Sequence, residues 1–341
     1  MKEYHEIYPI DVRGPTKIYA GIQVVRDRNQ KTVKLHQTAY VEKMGEKFSQ
    51  GSWSKTVSVP AEFSRSATSF DNITFAKDDA ERKIMADKPY LPLYASLLFK
   101  MCMTGPDIAY VLAFLGRYIG DPSVQAWTAL LMVLAYCVKH KDAGITYGGK
   151  IKVPGFFRDC DEYRSDPEKF NKRFKDQSGL FVLPDASWKT LRSFAAFVVM
   201  FANGAVDWST KLIRVICHSS MEAEICAGCF ATKRMMLVRS IMTELGPYFA
   251  IHGPIITCID NSATKPVSQD EGVKRKTEHF LRWQHYLRWL VMHGYVVVFW
   301  ISTKNQPVDF MTKLVDKTTF LKGRAYVLNV PHSHVAYYFQ F

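Results

Sequence analysis

Four carboxylates in the second half of the chain are the residues best suited to do chemistry: Asp185 in LPDASW, Glu224 in SSMEAEICAG, Asp260 in TCIDNSA and Asp309 in TKNQPVDFMTK. An apolar, strand-like run that ends in an acid sets that acid at the rim of a sheet, and an acid on a helix can be turned toward the same rim. Four hard oxygen donors converging there would make a site for two divalent cations, an arrangement suited to phosphodiester cleavage. Taken singly, each acid reads better as a solvated surface carboxylate. Their joint placement at element ends is what points to chemistry.

The elements that must position these acids follow from local pattern. GLFVLP reads as a short strand ending at Asp185, and FAAFVVMFANGAVDWS as two strands around the turn Asn203–Gly204. RVICHSS is a further extended run, and MEAEICAGCFATKRMMLVRSIMTEL is a long helix closed by Gly246–Pro247. PIITCID is a buried strand ending at Asp260, TEHFLRWQHYLRWLVMHG an amphipathic helix, YVVVFWIST the last strand, and PVDFMTKL the opening of a final helix. The order predicts a mixed five-stranded α/β sheet flanked by helices. Glu222 and Glu224 lie two apart on one helix and so point roughly 200° from each other, which lets only one of them face the rim.

Upstream, IYAGIQVVRD and KTVKLHQ form an alternating hairpin, followed by the amphipathic helix AYVEKMGEKFS. Residues 51–88 are polar and low in periodicity, as in a surface crossing. YLPLYASLLFKMCMT, PDIAYVLAFLGRYIG and PSVQAWTALLMVLAYCVKHK are helical, the last with Lys139, His140 and Lys141 in the turn that suits cations. The run RDCDEYRSDPEKFNKRFKDQSG is dense in charge of both signs and reads as a linker ending near Ser178.

The chain has 341 residues, enough for about two to three compact units, and its 48% hydrophobic and 13% aromatic content excludes wholesale disorder. A formal net charge of +13 and a pI near 9.3 predict a polyanionic partner, nucleic acid before others. Seven cysteines, an odd count, argue for reduced thiols and against a zinc site or a disulfide frame. The start carries no secretory signal, and the apolar stretches Phe194–Val206 and Val296–Ile301 fall short of the ~20 residues of a membrane span, so no membrane partner is expected.

The phrases SSMEAE, TCIDNS and TKNQPVDFMTK resemble the RNase H domain of copia-type LTR-retrotransposon Pol polyproteins. LPLYASLLFKMCMTGPDIAYVLAFLGRYIGDPSVQAWTALLMVLAYCVKH is similar to the stretch joining reverse transcriptase to RNase H in those proteins, and AGIQVVRDRNQKTVKLHQTAYVEKMGEKFS to the region after the polymerase strands. The resemblance implies an RNase H-like fold preceded by a partial reverse transcriptase thumb and connection region. It divides the chain into a polymerase remnant (1–60), a helical connection (61–149), the charged linker (150–178), the RNase H-like domain (179–325) and a tail (326–341). The activity implied is cleavage of the RNA strand of RNA–DNA hybrids with two Mg2+ ions, Mn2+ being the alternative. A complete reverse transcriptase or Pol polyprotein is the implied protein partner. The implied compartment is the cytoplasm, in a virus-like particle, with the nucleus second.

By the same resemblance Asp185 bridges the metals, Glu224 and Asp260 complete one side, and Asp309 binds the other ion. Ala227, three residues on, selects Glu224 over Glu222. His279 falls in the family's lysine-histidine position, with Glu278 replacing the lysine; it reads either as a proton shuttle or as a residue packing at a helix start. Lys274, Arg275 and Lys276 would meet phosphates, while Ser187, Asn261 and Ser262 would bond the RNA strand or its 2′-hydroxyls. Departures are equally visible. No tyrosine-x-Asp-Asp motif is present, Asp78–Asp79 lies in a polar helical context, and no polymerase activity is expected. Gly105 replaces the family's arginine, and Pro184 removes a ladder donor beside Asp185. These departures keep a second reading open, a catalytically inactive remnant that binds nucleic acid or supports a polymerase. Another nuclease or an integrase on the same fold is a third, disfavoured by the TKNQPVDFMTK ending.

Overall fold

A computed structural model describes residues 14–48, 57–61, 70–188, 193–246, 251–260 and 281–330. The hairpin expected near the start is present as β1 (Ile18–Tyr19), β2 (Ile22–Asp27) and β3 (Thr32–His36), followed by helix α1 (Thr38–Phe48). After α2 (Asp79–Ala86), α3 (Tyr90–Thr104), α4 (Ala109–Leu115) and α5 (Val124–Lys139), the chain returns as β4 (Gly144–Gly148), which pairs antiparallel with β3. The stretch expected as a helical connection thus ends by completing a four-stranded sheet, β1-β2-β3-β4. Asp78 caps α2 by accepting the Glu81 N–H, which accounts for that acid without catalysis.

The segment expected as a charged linker is folded. It forms α6 (Asp161–Ser165) and α7 (Pro167–Asp176), and Phe156, Phe157, Phe170 and Phe174 within it are buried. Phe170 and Phe174 stand four apart, one helical turn, and ring contacts tie this group to Phe181 and Phe299 of the second sheet. Charged residues fill the exposed face of α7, and their density hides the apolar stripe in the sequence.

The second sheet has the order β7-β6-β5-β8-β9, formed by β5 (Phe181–Ser187), β6 (Phe194–Phe201), β7 (Gly204–Leu212), β8 (Ile255–Ile259) and β9 (Val296–Trp300). β5, β6 and β7 are antiparallel, while β8 runs parallel to both β5 and β9, giving the mixed five-stranded sheet the sequence predicts. The hairpin turn sits one residue earlier than expected: Ala202 and Asn203 hold positive φ (48° and 72°) and Gly204 already belongs to β7. RVICHSS supplies no strand beyond Leu212.

Helix α8 (Ser220–Glu244) crosses one face of this sheet through Ala223, Ala227, Ala231 and Met235, each fully buried and four apart. α9 (Leu281–Met292) packs beside it, and α10 (Lys317–Leu328) closes the other face. The final helix therefore begins at Lys317; residues 309–311 form only a single 3₁₀ turn. α10 also runs past the expected start of the tail, with Tyr326 and Leu328 buried. One hydrophobic core runs from Val41 to Leu328 across both sheets, and all seven cysteines are free thiols. No helix among the described residues is long and apolar enough to cross a membrane.

Candidate metal centre

Asp185 is the fifth residue of β5, inside the strand rather than at its end, and faces Ala196 of β6. On its other side the pairing of β5 with β8 stops at Val182–Thr257, so the two strands part just before the acid. Pro184 occupies this parting. Its carbonyl accepts Gln306 Nε2 at 3.0 Å, so its missing N–H falls on the side where no ladder bond is needed. A proline in a central strand is tolerable here for that reason.

The other acids converge on the same parting. Asp260 directly follows β8, its carbonyl held by Trp300 Nε1 at 2.9 Å. Asp309 opens the 3₁₀ turn after β9. Asp185, Asp260 and Asp309 each bring a carboxylate oxygen within 4.8 Å of the others. Glu224, on the first turns of α8, reaches in with Oε1, which accepts the Ala186 N–H at 3.3 Å, while its Oε2 is buried without a hydrogen-bond partner. Glu222 points elsewhere: Ser219 Oγ caps the Glu222 N–H, and Glu222 Oε2 accepts the His218 N–H at 2.5 Å. Glu222 is thus held at the helix start, by the cap Ser219 and the N–H before it, which separates the two glutamates as the helical spacing requires.

Crowding four acids in a buried pocket raises their pKa values. Burial first, then the Asp309 and Asp260 charges, push Asp185 up to about 7. Glu224 rises well above the usual range through burial and the charges of Asp185 and Asp260. Burial raises Asp260 and Asp309 as well. Two neighbours that sequence reasoning missed act against this. Lys313 Nζ lies 3.1 Å from Asp309 Oδ1; burial opposes its charge, but Asp185, Asp309 and Asp260 outweigh that and hold it protonated. Thr312 Oγ1 donates to Asp185 Oδ2. The signal was available in the spacing: Thr312 and Lys313 follow Asp309 by three and four residues, one helical turn in VDFMTK.

The donor set fits a divalent cation. Among the described residues, every available ligand is a hard carboxylate oxygen, one of them is an orphaned buried acceptor, and Lys313 is the cation set against them. Ser187, expected at the RNA strand, is 7% exposed, and its Oγ accepts the Phe194 N–H at 3.2 Å. Asn261, Ser262, Lys274, Arg275, Lys276 and His279 lie outside the described residues.

A mixed five-stranded sheet with acids on its first strand, on its crossing helix, just after β8 and on a turn beyond β9 is the arrangement expected of an RNase H-like fold. No protein-family model matches the chain. Over 307 residues, 90% of its length, the chain is 25% identical to the retrovirus-related Pol polyprotein from transposon TNT 1-94 of Nicotiana tabacum. It is 26% identical over 250 residues, 72% of its length, to the retrovirus-related Pol polyprotein from transposon RE2 of Arabidopsis thaliana. The chain spans 21% and 15% of the lengths of these two relatives. A solved N-terminal RNase H domain of rv2228c from Mycobacterium tuberculosis, fused to maltose binding protein, aligns with 42% of this chain and 94% of its own at 10% identity and a TM-score of 0.29. Over most of its length the chain is thus similar to retrovirus-related Pol polyproteins from plant transposons.

Proposed function

We propose that this chain is a metal-dependent endoribonuclease that cuts the RNA strand of RNA–DNA hybrids. The observation that carries the reading is the convergence of Asp185, Asp260 and Asp309 within 4.8 Å, with the orphaned Oε2 of Glu224 beside them. Two Mg2+ ions bound there, or Mn2+, would supply the Lewis acidity that activates water and relieves the leaving oxygen of charge. The chain's own residues do the positioning. Asp185, with Oδ2 fixed by the Thr312 hydroxyl, is the central ligand; Asp260 and Glu224 flank it on one side and Asp309 on the other. Lys313 holds the acids together before ligand binding by offsetting part of their repulsion. Asn261, Ser262 and the basic run Lys274–Lys276 are assigned to the substrate and His279 to proton transfer. The compartment this reading sets is the cytoplasm, within a virus-like particle.

A second reading, a non-catalytic nucleic-acid-binding module, is favoured by one observation: Lys313 already provides a cation against Asp309. One experiment separates the two. The purified chain is incubated with labelled RNA–DNA hybrid and Mg2+, beside Asp185→Asn. Cleavage by the wild type and none above background by the variant is expected. No cleavage by the wild type would sink the enzymatic reading, and cleavage that survives Asp185→Asn would sink the site assignment.

A further inference from the structure

Two tryptophans stand beside the acids with their rings open to solvent. Trp188, which directly follows β5, is 51% exposed, and Trp300, the last residue of β9, is 37% exposed. Each indole has its one polar group engaged within the protein. Trp188 Nε1 donates to the Cys217 carbonyl at 3.0 Å, and Trp300 Nε1 to the Asp260 carbonyl at 2.9 Å. These bonds fix the rings edge-on, so the surface left to solvent is apolar π face. A third exposed tryptophan, Trp289, stacks on His293 and Tyr295, whereas Trp188 and Trp300 meet no other ring among the described residues. Large apolar faces held open beside a candidate active site mark a contact surface.

The two indoles share a face of the sheet and bracket the acids along it. Val182, Thr257 and Val298 stand level across the parallel strands β5, β8 and β9, and Val182 and Val298 both pack in the core with Ala231 and Met235 of α8. Trp300 is two residues beyond that level and Trp188 is six beyond it, even steps that keep both on the side of α8. Ala186, two residues before Trp188, packs on that side with Ala223 and Ala227. Asp185 and Asp260 each lie three residues beyond the same level, between the two rings. At ~3.3 Å per residue the offset of the rings is roughly 13 Å, about four nucleotide steps of a duplex strand.

We infer that Trp188 and Trp300 form a split aromatic platform against which the sugars of a bound RNA–DNA hybrid pack, one ring on each side of the phosphate held at the acids. The choice of a hybrid as occupant rests on the ribonuclease reading. An A-form duplex presents a wide, shallow minor groove lined by sugars, which a flat apolar ring can meet without unstacking a base. Because each indole is already fixed by its Nε1 bond, little side-chain freedom is lost on contact. The net charge of +13 favours a polyanion over a second copy of the chain as the partner that covers the rings. Ring and N–H have separate tasks at Trp300: the N–H holds the Asp260 carbonyl, and the ring meets the nucleic acid.

The test is fluorescence-anisotropy binding of a short RNA–DNA hybrid to the full chain in EDTA, at salt concentrations from about 50 to 200 mM. Trp188→Ala and Trp300→Ala are each expected to weaken binding by about 5- to 30-fold at every salt concentration. The slope of log K against log salt should stay at the wild-type value, because an apolar contact releases no counterions. Trp188→Phe and Trp300→Phe, which keep a flat ring and lose the N–H, should bind within about threefold of wild type. Wild-type affinity in both alanine variants would overturn the platform, as would a wild-type chain that does not bind the hybrid. Phenylalanine variants as weak as the alanine ones would assign the effect to the N–H anchors and overturn it too. A second readout does not depend on the alanine variants folding: hybrid binding should quench tryptophan emission, and by less in each phenylalanine variant. A quench equal to wild type in both would refute contact with the rings. A single-stranded RNA is run alongside, and an alanine effect confined to it would overturn the duplex as occupant. Cleavage is not read in EDTA, so a chain that never cuts would sink the ribonuclease reading without altering this measurement. A chain that cuts but binds equally well without either ring would sink the platform alone.

Discussion

Asp107 and Asp185 are both buried aspartates, 8% and 1% exposed, but their surroundings differ in kind. Asp107 Oδ2 accepts the Tyr136 hydroxyl at 2.6 Å and Arg324 Nε at 3.1 Å. Close by, Lys100 Nζ donates to Thr104 Oγ1 at 2.7 Å, and Thr104 donates on to Gln37 Oε1 at 2.8 Å. Asp185 instead faces Asp260 and Asp309, and Lys313 is the cation that opposes all three. The first cluster joins the helices of the first half to α10 and is internally compensated. The second is left short of positive charge. Compensated burial holds the fold together, whereas uncompensated burial marks a place where something else must bind.

The comparison can be broken most forcefully at its compensated end. Arg324→Ala leaves Asp107 buried without its guanidinium, and a loss of about 3–5 kcal/mol is expected in urea unfolding. A loss below about 1 kcal/mol would mean that the pair is replaceable and the contrast misplaced.

At the uncompensated end the sign reverses. Asp185 titrates at about 7 in the folded protein and at about 3.9 when unfolded, so the folded state holds its proton more tightly. Asp185's contribution to metal-free stability is therefore fully present below about pH 4, is lost as the pH rises to about 7, and changes no further above that, the drop being roughly 2–4 kcal/mol. Asp185→Asn should remove most of that slope and leave the metal-free protein more stable than wild type at pH 8. Unfolding curves with the same pH slope in both proteins would refute the electrostatic account.

The smallest effect concerns how Asp309 is placed. A Cβ on Gly323 would lie 2.4 Å from the Pro307 carbonyl oxygen and 2.5 Å from a Phe310 ring carbon. Gly323→Ala must therefore push α10 away from the turn that carries Asp309. A stability loss of about 1–3 kcal/mol is expected, together with weaker Mg2+ binding by calorimetry. Unchanged metal affinity would show that the acid does not depend on this close approach.

Much of this architecture was legible in local pattern. The alternation and length of the apolar runs at Phe181–Leu183, Phe194–Phe201 and Val296–Trp300 announce strands, and the two-residue offset separates Glu222 from Glu224. Two segments were misread, for different reasons. Phe170 and Phe174 were hidden because charge on the exposed face of α7 dominates the composition of a short helix. The helix expected from Pro307 stops at a 3₁₀ turn because that segment satisfies tertiary partners, with Met311 O accepting Thr210 Oγ1 at 2.8 Å.

The sequence by itself determined the identity of the four acids, the strand and helix types that carry them, and the positive charge of the whole chain. Those are local or additive properties, readable from neighbours within a turn or a strand. Only the tertiary structure decided that β5 and β8 part beside Asp185, that Pro184 fits in the parting, and that Thr312 reaches Asp185 across 127 residues of sequence. Convergence through space is set by sheet order and packing, which no periodicity along the chain encodes.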